Sequence, residues 1–242
     1  MKAILKQGLR YWHLAMVGLI FVFTYPFVYY FSRKESRYPL LNKVRRICAL
    51  FPSVLSGFLY KVQYEEPIDW GKTYIFCPNH ASNLDIFTMS VVIKNNFFFL
   101  GKDELLKNPA TKIFFETIDI PLKRESNISA FRAFKKTSER IEAGMSPIIF
   151  PEGKIGEEYP PILHHFKSGP FRLAIEHQIA IVPVTIKDNW KLFWDDGIKY
   201  GCKPGVSHIC IHKPIETIGM DVKDDEVLKQ MVYDKIASKL DY

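Results

Sequence analysis

The sequence predicts an α/β domain, a layered and largely parallel sheet flanked by helices, preceded by an apolar, membrane-associated helical segment. Three observations carry that prediction. Short apolar runs alternate with helical stretches over about 150 residues. Eighteen residues near the N-terminus, 14–31, carry no charge. Polar residues with useful chemistry cluster directly after the apolar runs, where open α/β sheets bind ligands.

The elements follow in chain order. "LAMVGLIFVFTYPFVYYF" (14–31) just reaches across a bilayer core of about 30 Å at 1.5 Å per residue. Trp12, Tyr29 and Tyr30 sit at its ends, where interfacial aromatic residues are expected. No small-residue cleavage site follows, so it does not read as a secretory signal. "CALFPSVLSGFLY" (48–60) is too short to span alone; it reads as an interfacial or re-entrant segment, or as a core helix. A single span and a hairpin dipping into one leaflet both fit. Residues 1–60 form this membrane-associated part and 61–242 the α/β domain.

Residues 1–60 hold nine Lys or Arg against one acid, Glu35, whereas the whole chain carries +7. The basic excess is therefore local. Six of the nine lie between the two apolar runs (Arg33, Lys34, Arg37, Lys43, Arg45, Arg46), a cluster that anionic headgroups attract. Loops rich in Lys and Arg favour the cytoplasmic side. Nucleic acid is not the expected partner, because the basic residues flank an apolar segment and no stacking platform.

Strands are expected at 73–77, 96–101, 118–123, 147–150, 180–186 and 206–212. Helices are expected at 84–93, 102–118 (broken near Pro109), 127–144, 169–178 and 224–240. Asn127 is placed to cap the 127–144 helix and Gly144 to end it; Ser168 is placed to cap the next. Cys48, Cys77, Cys202 and Cys210 form no CxxC pair, which suggests reduced thiols. His208, Cys210 and His212 share one strand face, where packing is a better account than zinc. No metal and no redox cofactor is expected.

The chemistry sits at the strand ends. "CPNHASNLD" (77–85) places His80 in the loop after a strand and Asp85 five residues on. On one continuous helix the two would point about 140° apart. With His80 in the loop and Asp85 in the first helical turn, the carboxylate reaches back to the imidazole, fixes its tautomer and raises its basicity. Ser82 lies nearby, but no G-x-S-x-G elbow exists in the chain. A base without its own nucleophile suggests activation of a substrate hydroxyl or a water. "IDIPLKR" (118–124) ends in Lys123 and Arg124, a suitable phosphate clamp. "FPEGKIG" (150–156) makes a tight turn in which Gly153 admits close approach of a ligand, beside Glu152 and Lys154. "VPVTI" (182–186) reads as a wall strand.

These four stretches resemble, in order, the four motif blocks of the glycerolipid acyltransferases, over residues 73–190. The nearest type is the bacterial 1-acylglycerol-3-phosphate acyltransferases. The H-x4-D block alone is a weak signal; H-x4-D followed about 70 residues later by F-P-E-G is a specific one. The resemblance implies His80 as general base on the acceptor hydroxyl and Asp85 as its orienting group. It implies direct attack on the thioester of acyl-CoA or acyl-carrier protein, with no acyl-enzyme. It further implies that Arg124 and Lys123 bind the acceptor phosphate and that Glu152 and Gly153 shape the acceptor site. The chain departs from the family where Lys154 and Ile155 replace the usual Thr-Arg, and where Phe115 and Glu116 stand near the usual second-block Gly. Lys154 then stands in for the arginine as a point charge. The departures keep a second acceptor open, a lyso-aminolipid or other lysolipid. A lipid-binding protein without catalysis is the reading from another class, and the intact His80, Asp85 and Glu152 speak against it.

Overall fold

The computed structural model describes residues 2–123, 126–194 and 201–240. Its centre is one seven-stranded sheet: β1 (Phe58–Tyr64), β2 (Ile75–Pro78), β3 (Phe97–Lys102), β4 (Ile120–Leu122), β5 (Ser146–Ile148), β6 (Ile181–Ile186) and β7 (Gly205–Ile211). The order across the sheet is β1-β7-β6-β2-β5-β3-β4. Strands β2 to β6 run parallel, β7 runs antiparallel to β6, and β1 runs parallel to β7. The carboxyl ends of β2 to β6 thus share one edge, and the residues after those strands meet there.

Two helical layers cover the sheet. On one face α3 (Leu84–Val92) packs over Phe76, Phe97, Phe99, Val182, Val184 and Ile209. On the other, α6 (Gly169–His177) and α8 (Asp225–Ala237) bury Phe171, Ile175, Leu228, Val232 and Ile236 against Ile75, Cys77 and Ile181. Phe58, Phe76, Phe97, Phe98 and Phe171 are fully buried, each contributing about 1.5–3 kcal/mol through apolar burial. The β4 side is closed by α4 (Pro109–Glu116) and α5 (Asn127–Glu142). A 3-10 turn, Asp103–Lys107, precedes α4, so the stretch expected to break near Pro109 does so.

The N-terminal part is a helical hairpin. α1 (Lys2–Ser32) is the one helix among the described residues long and apolar enough to cross a membrane. α2 (Tyr38–Leu55) returns beside it, tied by Trp12 Nε1 to Leu55 O at 3.0 Å, His13 Nδ1 to Ser56 Oγ at 3.0 Å and Thr24 Oγ1 to Cys48 Sγ at 3.0 Å. The outer faces stay apolar and exposed: Leu5, Val22, Phe23 and Phe27 on α1, Phe51, Val54 and Leu55 on α2. Val28, Tyr38 and Leu41 anchor the hairpin to Phe98, Phe114 and Ile120 of the α/β layer.

Several details differ from expectation. β1 begins inside the 48–60 apolar run, because Gly57 turns the chain there at φ +76°. Of the six basic residues between the apolar runs, Arg45 does not face lipid. It is buried under the hairpin, with Nη2 2.8 Å from Asp119 Oδ2 and its guanidinium over the Phe114 ring. Ser126, one residue before Asn127, caps α5 by accepting from Ser129 N–H. Ser168 does stand at the start of α6, but its hydroxyl donates to Glu226 Oε1. A short helix, α7 (Asn189–Leu192), follows β6 without an expected counterpart.

Candidate active site

β2 ends at Pro78, and the next residue locks the loop to the sheet. Asn79, fully buried, donates Nδ2 to Ile186 O (3.0 Å) and accepts Ile186 N–H on Oδ1 (2.7 Å). That pair of hydrogen bonds to β6 fixes where His80 leaves the sheet. Asp85 lies in the first turn of α3 and reaches back to His80 Nδ1 at 3.0 Å. The same oxygen, Oδ2, accepts Ala81 N–H and Ser82 N–H at 2.8 Å each, while Oδ1 accepts Asn189 Nδ2 at 2.8 Å. A fully buried carboxylate satisfied by four donors is held in one orientation. With Nδ1–H donated to Asp85, His80 presents Nε2 as the basic nitrogen.

The imidazole is positioned from its other sides as well. Its ring stacks on Phe150, centroids 4.0 Å apart at 24°. Glu152, after β5, is 5% exposed and accepts His80 N–H on Oε1 (2.7 Å) and His164 N–H on Oε2 (2.9 Å). Burial pushes the Glu152 carboxyl up to about 7, against the two backbone N–H groups that pull it down. The structure thus sets Glu152 beneath the site, joining two loops, with both oxygens facing protein N–H groups. Gly153 has φ +73°, and a Cβ there would lie 3.1 Å from Lys167 Cε. Lys154 is exposed at the rim.

Of the expected phosphate clamp, Lys123 is exposed beyond β4, with its N–H donated to Ser129 Oγ at 2.9 Å. Arg124 lies outside the described residues. Ser82 is no nucleophile: it is fully buried and its hydroxyl donates to Phe193 O at 2.6 Å. Cys202 packs with Phe58 and Leu192, away from Cys210. His208 binds Asp188, and His212 is engaged on both ring nitrogens, by Glu65 and Thr185.

A cavity of about 400 Å³ opens beside His80 and Lys154 and runs between α3, β3, α4 and the helical hairpin. Its wall is mostly apolar, with Phe21, Ile86, Phe87, Phe99, Phe114 and Phe115 among the lining residues; Arg45 and Asp119 border it as well. Sequence reasoning missed two supports of the dyad. Phe150 was visible as the residue opening "FPEG". Asn189 lies 104 residues from Asp85; the signal for it was a polar side chain following the end of β6, by the same strand-end rule that picked out His80.

An imidazole held by a buried carboxylate at the mouth of a mostly apolar cavity can take a proton from a hydroxyl brought there. The chain belongs to the acyltransferase family, whose model, described as Acyltransferase, matches residues 60–187. It is 26% identical over 191 residues to an uncharacterized acyltransferase of Schizosaccharomyces pombe, covering 77% of this chain and 68% of that one. It is 28% identical over 228 residues to the chloroplastic 1-acyl-sn-glycerol-3-phosphate acyltransferase of Arabidopsis thaliana, covering 92% of this chain and 60% of that one. The crystal structure of the 1-acyl-sn-glycerophosphate acyltransferase PlsC from Thermotoga maritima shares the fold, with a TM-score of 0.80 at 22% identity over 98% of this chain and 95% of that one. The chain spans about three fifths to two thirds of the length of these curated relatives.

Proposed function

We propose that this protein transfers a fatty acyl group from a thioester, acyl-CoA or acyl-carrier protein, to the sn-2 hydroxyl of 1-acylglycerol 3-phosphate, giving phosphatidic acid for phospholipid synthesis. The observation that carries the reading is the His80–Asp85 dyad at the mouth of the apolar cavity. His80 Nε2 takes the hydroxyl proton as the oxygen attacks the thioester carbonyl. Asp85 stabilises the imidazolium that forms. The tetrahedral adduct collapses, the C–S bond breaks, and the imidazolium returns its proton to the departing thiolate. The cavity receives an acyl chain, and Lys123, Arg124 and Lys154 bind the acceptor phosphate. Glu152 and Gly153 set the acceptor site by fixing the loop that carries His80.

Both substrates are amphiphiles, which fits a catalytic domain carried on an apolar hairpin at the cytoplasmic face of the membrane. The relatives named for acylglycerol phosphate support this acceptor. A lyso-aminolipid acceptor is the second reading, motivated by the missing third-block arginine, where this chain has Ile155 after Lys154. The test offers labelled acyl donor with 1-acylglycerol 3-phosphate and an uncharged lysolipid side by side. Preference for the phosphate-bearing lipid supports the reading. Transfer only to the other lipid keeps the dyad chemistry and removes the phosphate clamp.

A further inference from the structure

α5 carries an apolar tip that the core does not use. Ile128 is 67% exposed and Phe131 71% exposed, whereas Ala133 on the opposite side is buried with Val28, Leu41 and Ile120. Ile128, Phe131 and Lys135 stand at helical spacings of three and four, so they form one outward stripe. The stripe is graded. Its apolar residues come first, the exposed cations Arg132 and Lys135 come next, and the exposed acids Glu139 and Glu142 come last. Along the axis Glu139 lies about 12 Å and Glu142 about 16 Å beyond Phe131 at 1.5 Å per residue, so the acids sit on the far side of the cations from the apolar tip. The tip also sits at the edge of the sheet that carries His80. β4 runs parallel to β3, and Lys123, just after β4, donates its N–H to Ser129 in the first turn of α5.

We propose that the start of α5 is a second membrane contact, separate from the α1–α2 hairpin, in which Ile128 and Phe131 insert into an anionic lipid surface. Arg132 and Lys135 lie at the headgroups, and Glu139 and Glu142 are held away from them. A basic collar above an apolar tip matches the charge and depth profile of an anionic leaflet. An acid-collared tip would not. Docked this way, the rim of the active site meets the membrane on two sides, and an acceptor whose chains stay in the leaflet is approached with its headgroup at Lys123.

The test labels Phe131→Cys with an environment-sensitive dye, with Glu139→Cys as the control site. The native thiols are buried or half-buried and set the labelling background. With phosphatidylglycerol-containing vesicles, the dye at 131 shifts to the blue and is quenched by lipid-borne quenchers, and the dye at 139 is not. A label at 131 that stays water-exposed, whether or not the protein binds the vesicles, overturns the proposal. Equal quenching at 131 and 139 also overturns it. The double variant Ile128→Ser with Phe131→Ser, at unchanged thermal stability, loses roughly tenfold in transfer to vesicle-embedded acceptor; unchanged vesicle activity counts against the contact.

Discussion

Replacing Asp85 by asparagine changes one atom's chemistry and keeps the side chain's shape. Asp85 Oδ2 faces three donors, His80 Nδ1, Ala81 N and Ser82 N, so the amide oxygen of the Asp85→Asn variant takes that place. Its NH₂ then meets Asn189 Nδ2, the donor that now serves Oδ1. Asn189 Oδ1 is buried without a partner among the described residues, so an amide flip relieves that clash, at the expense of the bond to Thr88 Oγ1. The fold should therefore survive, losing about 1–3 kcal/mol. Catalysis loses more. As His80 becomes an imidazolium, a carboxylate at about 4 Å between charge centres is worth about 4 kcal/mol at an effective dielectric near 20. His80 is mostly buried and Asp85 wholly so, which limits solvent screening. The expected loss is about a thousandfold in kcat, with KM for either substrate nearly unchanged. Initial rates of labelled acyl transfer, together with a thermal melt of the variant, measure both parts. A fall of less than tenfold in a folded Asp85→Asn protein would refute the role given to the carboxylate.

Two other changes test the scaffold. Asp119→Ala removes the carboxylate from Arg45 and an acceptor from Phe99 N–H, leaving a buried guanidinium between aromatic rings. The cost is about 3–5 kcal/mol, seen as a melting temperature lower by on the order of 10 °C. Pairing Arg45→Met with Asp119→Asn, which keeps an acceptor for Phe99, recovers most of it. Glu152 gives a pH test. Its folded value of about 7 is above the ordinary 4.5, so its contribution to stability is complete below pH 4.5 and is lost as pH rises through 7. Relative to Glu152→Gln, the native protein should lose about 3 kcal/mol of unfolding free energy between pH 4.5 and 8. A pH-independent difference contradicts that assignment.

Much of this architecture was legible because local signals and the global fold agree. The "TYIFC" and "VPVTI" runs are apolar because β2 and β6 are buried on both faces, and the residues after them face the site. β1 was hidden by its neighbourhood. "FLYKVQY" does alternate, with Phe58, Tyr60 and Val62 turned inward, but it continues an apolar run that ends a helix. The pairing of β1 with β7, and the antiparallel turn of β7 onto β6, depend on contacts that local periodicity does not encode. The same holds for the site. His80 and Asp85 are five residues apart and carry their own geometry. Asn189, and Arg45 with Asp119, belong to their partners only after the chain has folded. The charge of Arg45 pointed outward to lipid on composition alone; only the aromatic cage and Asp119 explain why it turns inward.

The most direct test of the central claim is phosphatidic acid formation by wild-type protein and by His80→Ala. Both should be held in the same vesicles with saturating 1-acylglycerol 3-phosphate and thioester donor. Removing the base should abolish about 99% of the rate or more while leaving the melting transition and vesicle binding in place. A folded His80→Ala protein that still makes phosphatidic acid at near the wild-type rate would place the chemistry elsewhere in the molecule.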